Sequence, residues 1–223
     1  MTWKEFYDIA APEEIRFRES QKNFFVRLSR WFSTRQAYFL HHMGVTGNMV
    51  SLFRIVLSAV ALYLFYFLTE GRWGSAFLGI LLMAWQLNLD GTDGSLARVQ
   101  KATGPLGAVL DNIGCNYSYY GFWVVVALMT DRVALVLLSL VTGYILVNIR
   151  HGGGETLPAE VDSRFRWALY TPLLLVVIPT MMILLSLLFS PHVVAWVVSV
   201  GYLMIAVVWL GLYIRHYSVV RST

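Results

Sequence analysis

A single cysteine, Cys115, rules out a disulfide within the chain. Charge is scarce: 13% of the 223 residues are Asp, Glu, Lys or Arg, against roughly 25% in a soluble domain. Residues 1–40 contain no apolar run of the kind that forms a cleavable signal peptide. No repeat of fixed period is present. What fills the chain is apolar: 57% of its residues are hydrophobic, and the mean hydropathy is +0.61. That composition excludes an ordinary soluble domain and predicts an integral membrane protein built as one domain. The formal charge of +4 could suggest nucleic acid. The basic residues instead cluster beside apolar spans, as membrane topology requires, so no nucleic-acid partner is expected.

The expected fold is all-α, with six transmembrane helices preceded by an amphipathic interfacial helix. Residues 1–43 form a cytoplasmic, interfacial segment in which Trp3, Phe17, Phe24 and Trp31 alternate with Arg16, Lys22, Arg27 and Arg30. A helix over about 13–33, starting at Pro12-Glu13-Glu14, would lie on the headgroup layer. The six spans occupy 44–216: about 45–68, 74–98, 105–129, 133–148, 167–189 and 193–214. Residues 217–223 are a cytoplasmic tail. Pro172 and Pro179 predict kinks in the fifth span. Membrane lipids are therefore expected partners.

The acids interrupt this pattern. Asp90, Asp93 and Asp111 stand among apolar residues, where each charge at mid-bilayer is penalised by roughly 2.5–3.5 kcal/mol. One divalent metal would balance several of them. Asp90 and Asp93 are three apart and share a helix face, with Ala97 one turn on. Gly107, Asp111 and Cys115 form a second stripe at i, i+4, i+8. Gly104-Pro105 breaks the chain between the stripes. A helical hairpin would bring the three acids together. Gly94, Ala97 and Gly107 are small enough for a flat or bulky ligand to reach the backbone, and Arg98 adds a cation at the mouth.

The run Asp90-x-x-Asp93-Gly94-x-x-Ala97-Arg98, eight residues, then Gly107-x-x-x-Asp111 resembles the signature of the CDP-alcohol phosphotransferase family. Seven fixed positions match. The signature's last acid is replaced by Cys115. Ser51-Leu-Phe-Arg54 also resembles the first-helix segment of bacterial phosphatidylglycerophosphate and phosphatidylinositol-phosphate synthases. The resemblance implies an enzyme that moves a substituted phosphate from a CDP-alcohol donor to a lipid or polar alcohol acceptor, releasing CMP, in phospholipid or related lipid biosynthesis. It implies a homodimer as well. Asp90, Asp93 and Asp111 would hold Mg²⁺ or Mn²⁺, hard ions that take oxygen ligands and can bridge to a pyrophosphate. Gly94, Ala97, Arg98 and Gly107, with Asn48, would contact the nucleotide and its phosphates. The position of the last acid is implied to supply the base and to help hold a second metal.

Cys115 fits neither role well, because its thiol is mostly neutral at pH 7 and sulfur suits soft ions. Three readings stay open: a base elsewhere, at Asp111, His151 or a metal-bound water; an acceptor already anionic; or a catalytically impaired protein that binds CDP-alcohols. An intramembrane-carboxylate transporter is the alternative from another class. Arg54 lies about two turns inside the first span, facing a phosphate or snorkelling to the interface. Arg150, His151, Arg164 and Arg166 flank the glycines 152–154, and Arg150 and Arg164 are candidate phosphate grips. Lys4, Arg16, Arg18, Lys22, Arg27, Arg30, Arg35, Arg98, Lys101, Arg150, Arg164, Arg166, Arg215 and Arg221 fall on one side, against Arg72 and Arg132 on the other. That bias places both termini and the acid site in the cytoplasm of a multi-pass protein of the bacterial inner membrane.

Overall fold

The apolar runs fold as helices, and every regular element among the described residues is helical. The computed structural model describes residues 1–20, 24–102, 104–141 and 176–222. α1 spans Trp3–Ala10, α2 Glu13–Ser20 and α3 Phe24–His42. α4 spans Gly47–Tyr66 and tightens into a 3-10 turn over Phe67–Glu70. α5 spans Trp73–Val99 and α6 Pro105–Leu128. A helical run occupies 133–141. α7 covers Ile178–Ser186, and α8 covers Pro191–Ser222, eight residues past the expected end at 214. Pro179 sits in the first turn of α7, just after two residues in π-helical geometry at 176–177. Pro172 lies outside the described residues.

A separate helix, α1, precedes the helix expected over about 13–33, and helical structure runs on to His42. Thr2 and Glu5 form a reciprocal capping box that starts α1 at Trp3. Its hydrogen bonds from Thr2 hold the exposed Glu5 carboxyl below its ordinary range. Pro12 then forces the preceding Ala11 out of helical geometry and separates α1 from α2. α3 does more than rest at an interface. Ser33, Thr34 and Ala37 are buried, while Trp31, Phe32 and Phe39 stay exposed. Ser29 donates to Asn88 of α5 at 2.9 Å, and Thr92 donates to the Ser33 carbonyl at 3.2 Å.

Helix ends have identifiable causes. Gly44 at φ 73° closes α3, with the Val45 N–H reaching the Leu40 carbonyl at 3.0 Å. α5 stops before the expected Gly104-Pro105 break. Lys101 takes a left-handed φ of 52°, and the Ala102 N–H reaches back to the Ala97 carbonyl at 3.0 Å. Pro105 opens α6 instead, a position where its ring is tolerated.

The chain forms two compact units: residues 1–61 with 81–118, and 62–80 with 119–223. In the first, Phe6, Val50, Leu57, Leu89, Leu96 and Val99 build one core. In the second, Phe65, Phe122, Val126 and Met129 are fully buried. There Trp123 and Tyr202 stack with ring centroids 3.7 Å apart. The acids, Arg54 and Cys115 all belong to the first unit.

Candidate functional site

Three helices supply the site, and each is fixed before it contributes. Thr46 caps α4 by accepting the Met49 N–H at 3.3 Å. Gln100, past the end of α5, clamps the same turn: its Nε2 donates to the Val45 carbonyl at 2.7 Å, and its Oε1 accepts from Gly47 at 3.3 Å. α4 then presents Asn48, Ser51 and Arg54. α5 presents Asp90 and Asp93, and α6 presents Gly107, Asp111 and Cys115.

Arg54 is the centre of the cluster and is only 1% exposed. Its Nη1 donates to Asp90 and lies 3.5 Å from Asp93 Oδ2. Its Nη2 donates to Asp111 Oδ1 at 2.9 Å, to the Asp111 carbonyl at 2.8 Å and toward Cys115 Sγ at 3.6 Å. The guanidinium therefore turns inward, and snorkelling does not describe it. Asp93 is nearly buried and doubly held: Ser51 Oγ donates to Oδ2 at 2.7 Å, and the Gly94 N–H donates to Oδ1 at 2.7 Å. The Cys115 thiol lies 3.3 Å from Asp90 Oδ1. All three acids expected to converge do so, and the replaced signature position joins them.

The small residues have separable jobs. A Cβ on Gly47 would stand 2.9 Å from the Asp93 carbonyl and 3.4 Å from the Ala97 Cβ. Gly47 and Ala97 thus let α4 and α5 cross closely. A Cβ on Gly107 would stand 3.1 Å from Asn48 Oδ1, so these two expected nucleotide contacts are neighbours. Arg98 Nε donates to the Ala10 carbonyl at 2.7 Å, which ties a signature residue to the end of α1. Gly94 lies beside Arg98, its added Cβ 3.5 Å from Nη1. Arg150, His151, Arg164 and Arg166 lie outside the described residues.

The donor set can be tested against a metal. Asp90, Asp111 and Cys115 each offer one atom, all within 4.8 Å of one another. The Asp90 and Asp111 side chains are 49% and 54% exposed, so both carboxylates are accessible. Two accessible oxygens on facing helices fit a hard divalent ion; the thiol fits a soft one. Asp93 stands just behind, with both of its oxygens engaged. Gly114 and Gln100 were missed by sequence reasoning, and Ser51 was read only as part of the first-helix resemblance, without a role. Small or uncharged residues give little chemical signal there, although Ser51 lies three before Arg54 on one helix face.

Fold and site together define a helical protein whose facing helices gather carboxylates that could hold a cation. The chain belongs to the CDP-alcohol phosphatidyltransferase family, whose model matches residues 45–213. That family comprises membrane-embedded phosphotransferases of phospholipid biosynthesis, which use a divalent metal, a CDP-alcohol donor and an alcohol acceptor. No curated protein matches the chain.

Proposed function

We propose that this protein is a metal-dependent, multi-pass membrane transferase that moves a substituted phosphate from a CDP-alcohol to an acceptor and releases CMP. The observation that carries the reading is the meeting of Asp90 and Asp111, from successive helices, within 4.8 Å of Cys115. Mg²⁺ or Mn²⁺ is the proposed ion, held by Asp90 and Asp111 with Asp93 behind them. When bound, it neutralises the donor's pyrophosphate and polarises the attacked phosphorus.

The chain's own residues do the rest. Asn48, Gly94, Ala97 and Gly107 are the proposed nucleotide contacts. Arg98, Arg150 and Arg164 are the proposed phosphate grips. The acceptor hydroxyl forms the new P–O bond, the bond from phosphorus to CMP breaks, and the proton passes to a base. Asp111 is the proposed base, and His151 is the second candidate. Both the donor's diacylglycerol and a CDP-linked headgroup remain within this reading.

Membrane embedding is supported by α4 with its 3-10 extension. Among the described residues, Gly47–Glu70 is the one helix long and apolar enough to cross a bilayer. Leu52, Phe53, Val56 and Val60 are exposed along it, as lipid-facing side chains would be.

The test is CMP release from CDP-diacylglycerol, with and without Mg²⁺. We expect metal-dependent release, reduced at least a hundredfold, on the order of 3 kcal/mol of barrier, by Asp90→Asn or Asp111→Asn. Unchanged release in both variants removes the acid assignment. Cys115 at the signature's last acid position favours a second reading, a CDP-alcohol-binding protein with little turnover. Donor binding without CMP release would select it.

A further inference from the structure

We propose that the site holds a single divalent ion and that Arg54 serves as its second, built-in cation. The inference rests on the metal-dependent reading above and goes beyond it by fixing the ion count.

The guanidinium sits in a seat built for it. A Cβ on Gly114 would lie 2.5 Å from Arg54 Nη2, 2.8 Å from Nε and 3.0 Å from Cζ. Gly114 of α6 therefore lies against the head group, and any side chain there would have to displace it. Nη1 and Nη2 reach Asp90, Asp93 and Asp111, while Nε is buried with no hydrogen-bond partner. An arginine waiting for a phosphate would keep its donors toward open space. Here both ends are committed to the acids.

Charge and ligand type agree with the geometry. Three carboxylates against one guanidinium leave two negative charges, the complement of one divalent ion. A second ion would need a hard ligand at the last signature position. It meets instead a thiol, with Arg54 Nη2 already 3.6 Å from that sulfur. Hard ions bind thiols poorly, and the guanidinium repels a neighbouring cation. Arginine and cysteine thus exclude the second ion together.

The experiment is titration of the purified protein with Mn²⁺ alone, with free Mn²⁺ read by electron paramagnetic resonance. The wild type should bind one Mn²⁺ per chain, and the double variant Arg54→Gln with Cys115→Asp should bind two. Arg54→Gln should bind its first Mn²⁺ about tenfold more tightly, because a like charge is gone. Two ions in the wild type overturn this inference and leave the metal-dependent reading standing. So does an Arg54→Gln, Cys115→Asp double variant that still binds one, or an Arg54→Gln protein with unchanged affinity. No binding by the wild type up to millimolar Mn²⁺ overturns the metal-dependent reading itself.

Discussion

At the scale of the residue, Arg54 and the acids hold each other in place. Removing one partner of a buried charge group leaves the others uncompensated, at a cost of roughly 3–5 kcal/mol. Arg54→Ala should therefore lower the melting temperature markedly in chelator, and saturating Mn²⁺ should recover much of the loss, because the ion replaces the missing positive charge. An equal loss with and without Mn²⁺ would mean that the arginine acts by packing alone. The meeting of the acids was legible in the sequence, since i, i+3 and i, i+4 spacings set their faces. Arg54's inward turn was not. A lone arginine on a helix reveals its direction only once its tertiary neighbours are known. Gly114 was silent for the same reason: its role is defined by what it lacks, against an atom sixty residues away in the chain.

At the scale of the element, small residues set the spacing between α4 and α5. Gly47→Ala would drive a methyl to 2.9 Å from the Asp93 carbonyl. We expect it to cost about 1–3 kcal/mol and to lower CMP release more than stability alone explains, because Asp93 moves with its backbone. Thermal unfolding measured beside activity checks this. The capping box of α1 gives a pH prediction. The folded-state value of Glu5 is depressed, so its contribution is present above the ordinary carboxylate range and lost as pH falls through the folded value. Amide protection factors in α1 should fall as pH drops below the ordinary carboxylate range, while those of α5 hold. The hairpin between α5 and α6 was foreseen from Gly104-Pro105, and the end of α5 near 98 from the pattern, but the left-handed turn at Lys101 was not. Nothing in a lysine announces a left-handed backbone; the Schellman bonds hold it there.

At the scale of the whole molecule, the basic residues make a topological prediction. The count of basic residues predicts Lys101 on the cation-rich side and Asp131 on the other. With Cys115→Ser removing the native thiol, Lys101→Cys and Asp131→Cys should react with a membrane-impermeant maleimide from opposite faces of sealed inside-out vesicles, Lys101→Cys from the outside. Labelling of both from one face would overturn the six-span order. The helical class was readable from composition alone. The docking of the front segment was not, because α1 is too short and mixed in character to reveal its target. That docking bears on where this protein can be divided. The family-matched stretch begins at 45, and the sequence pattern invites a cut at 43. Yet the Ala10 carbonyl secures Arg98. A version trimmed to the matched stretch would carry every signature residue and still have lost the latch on one of them.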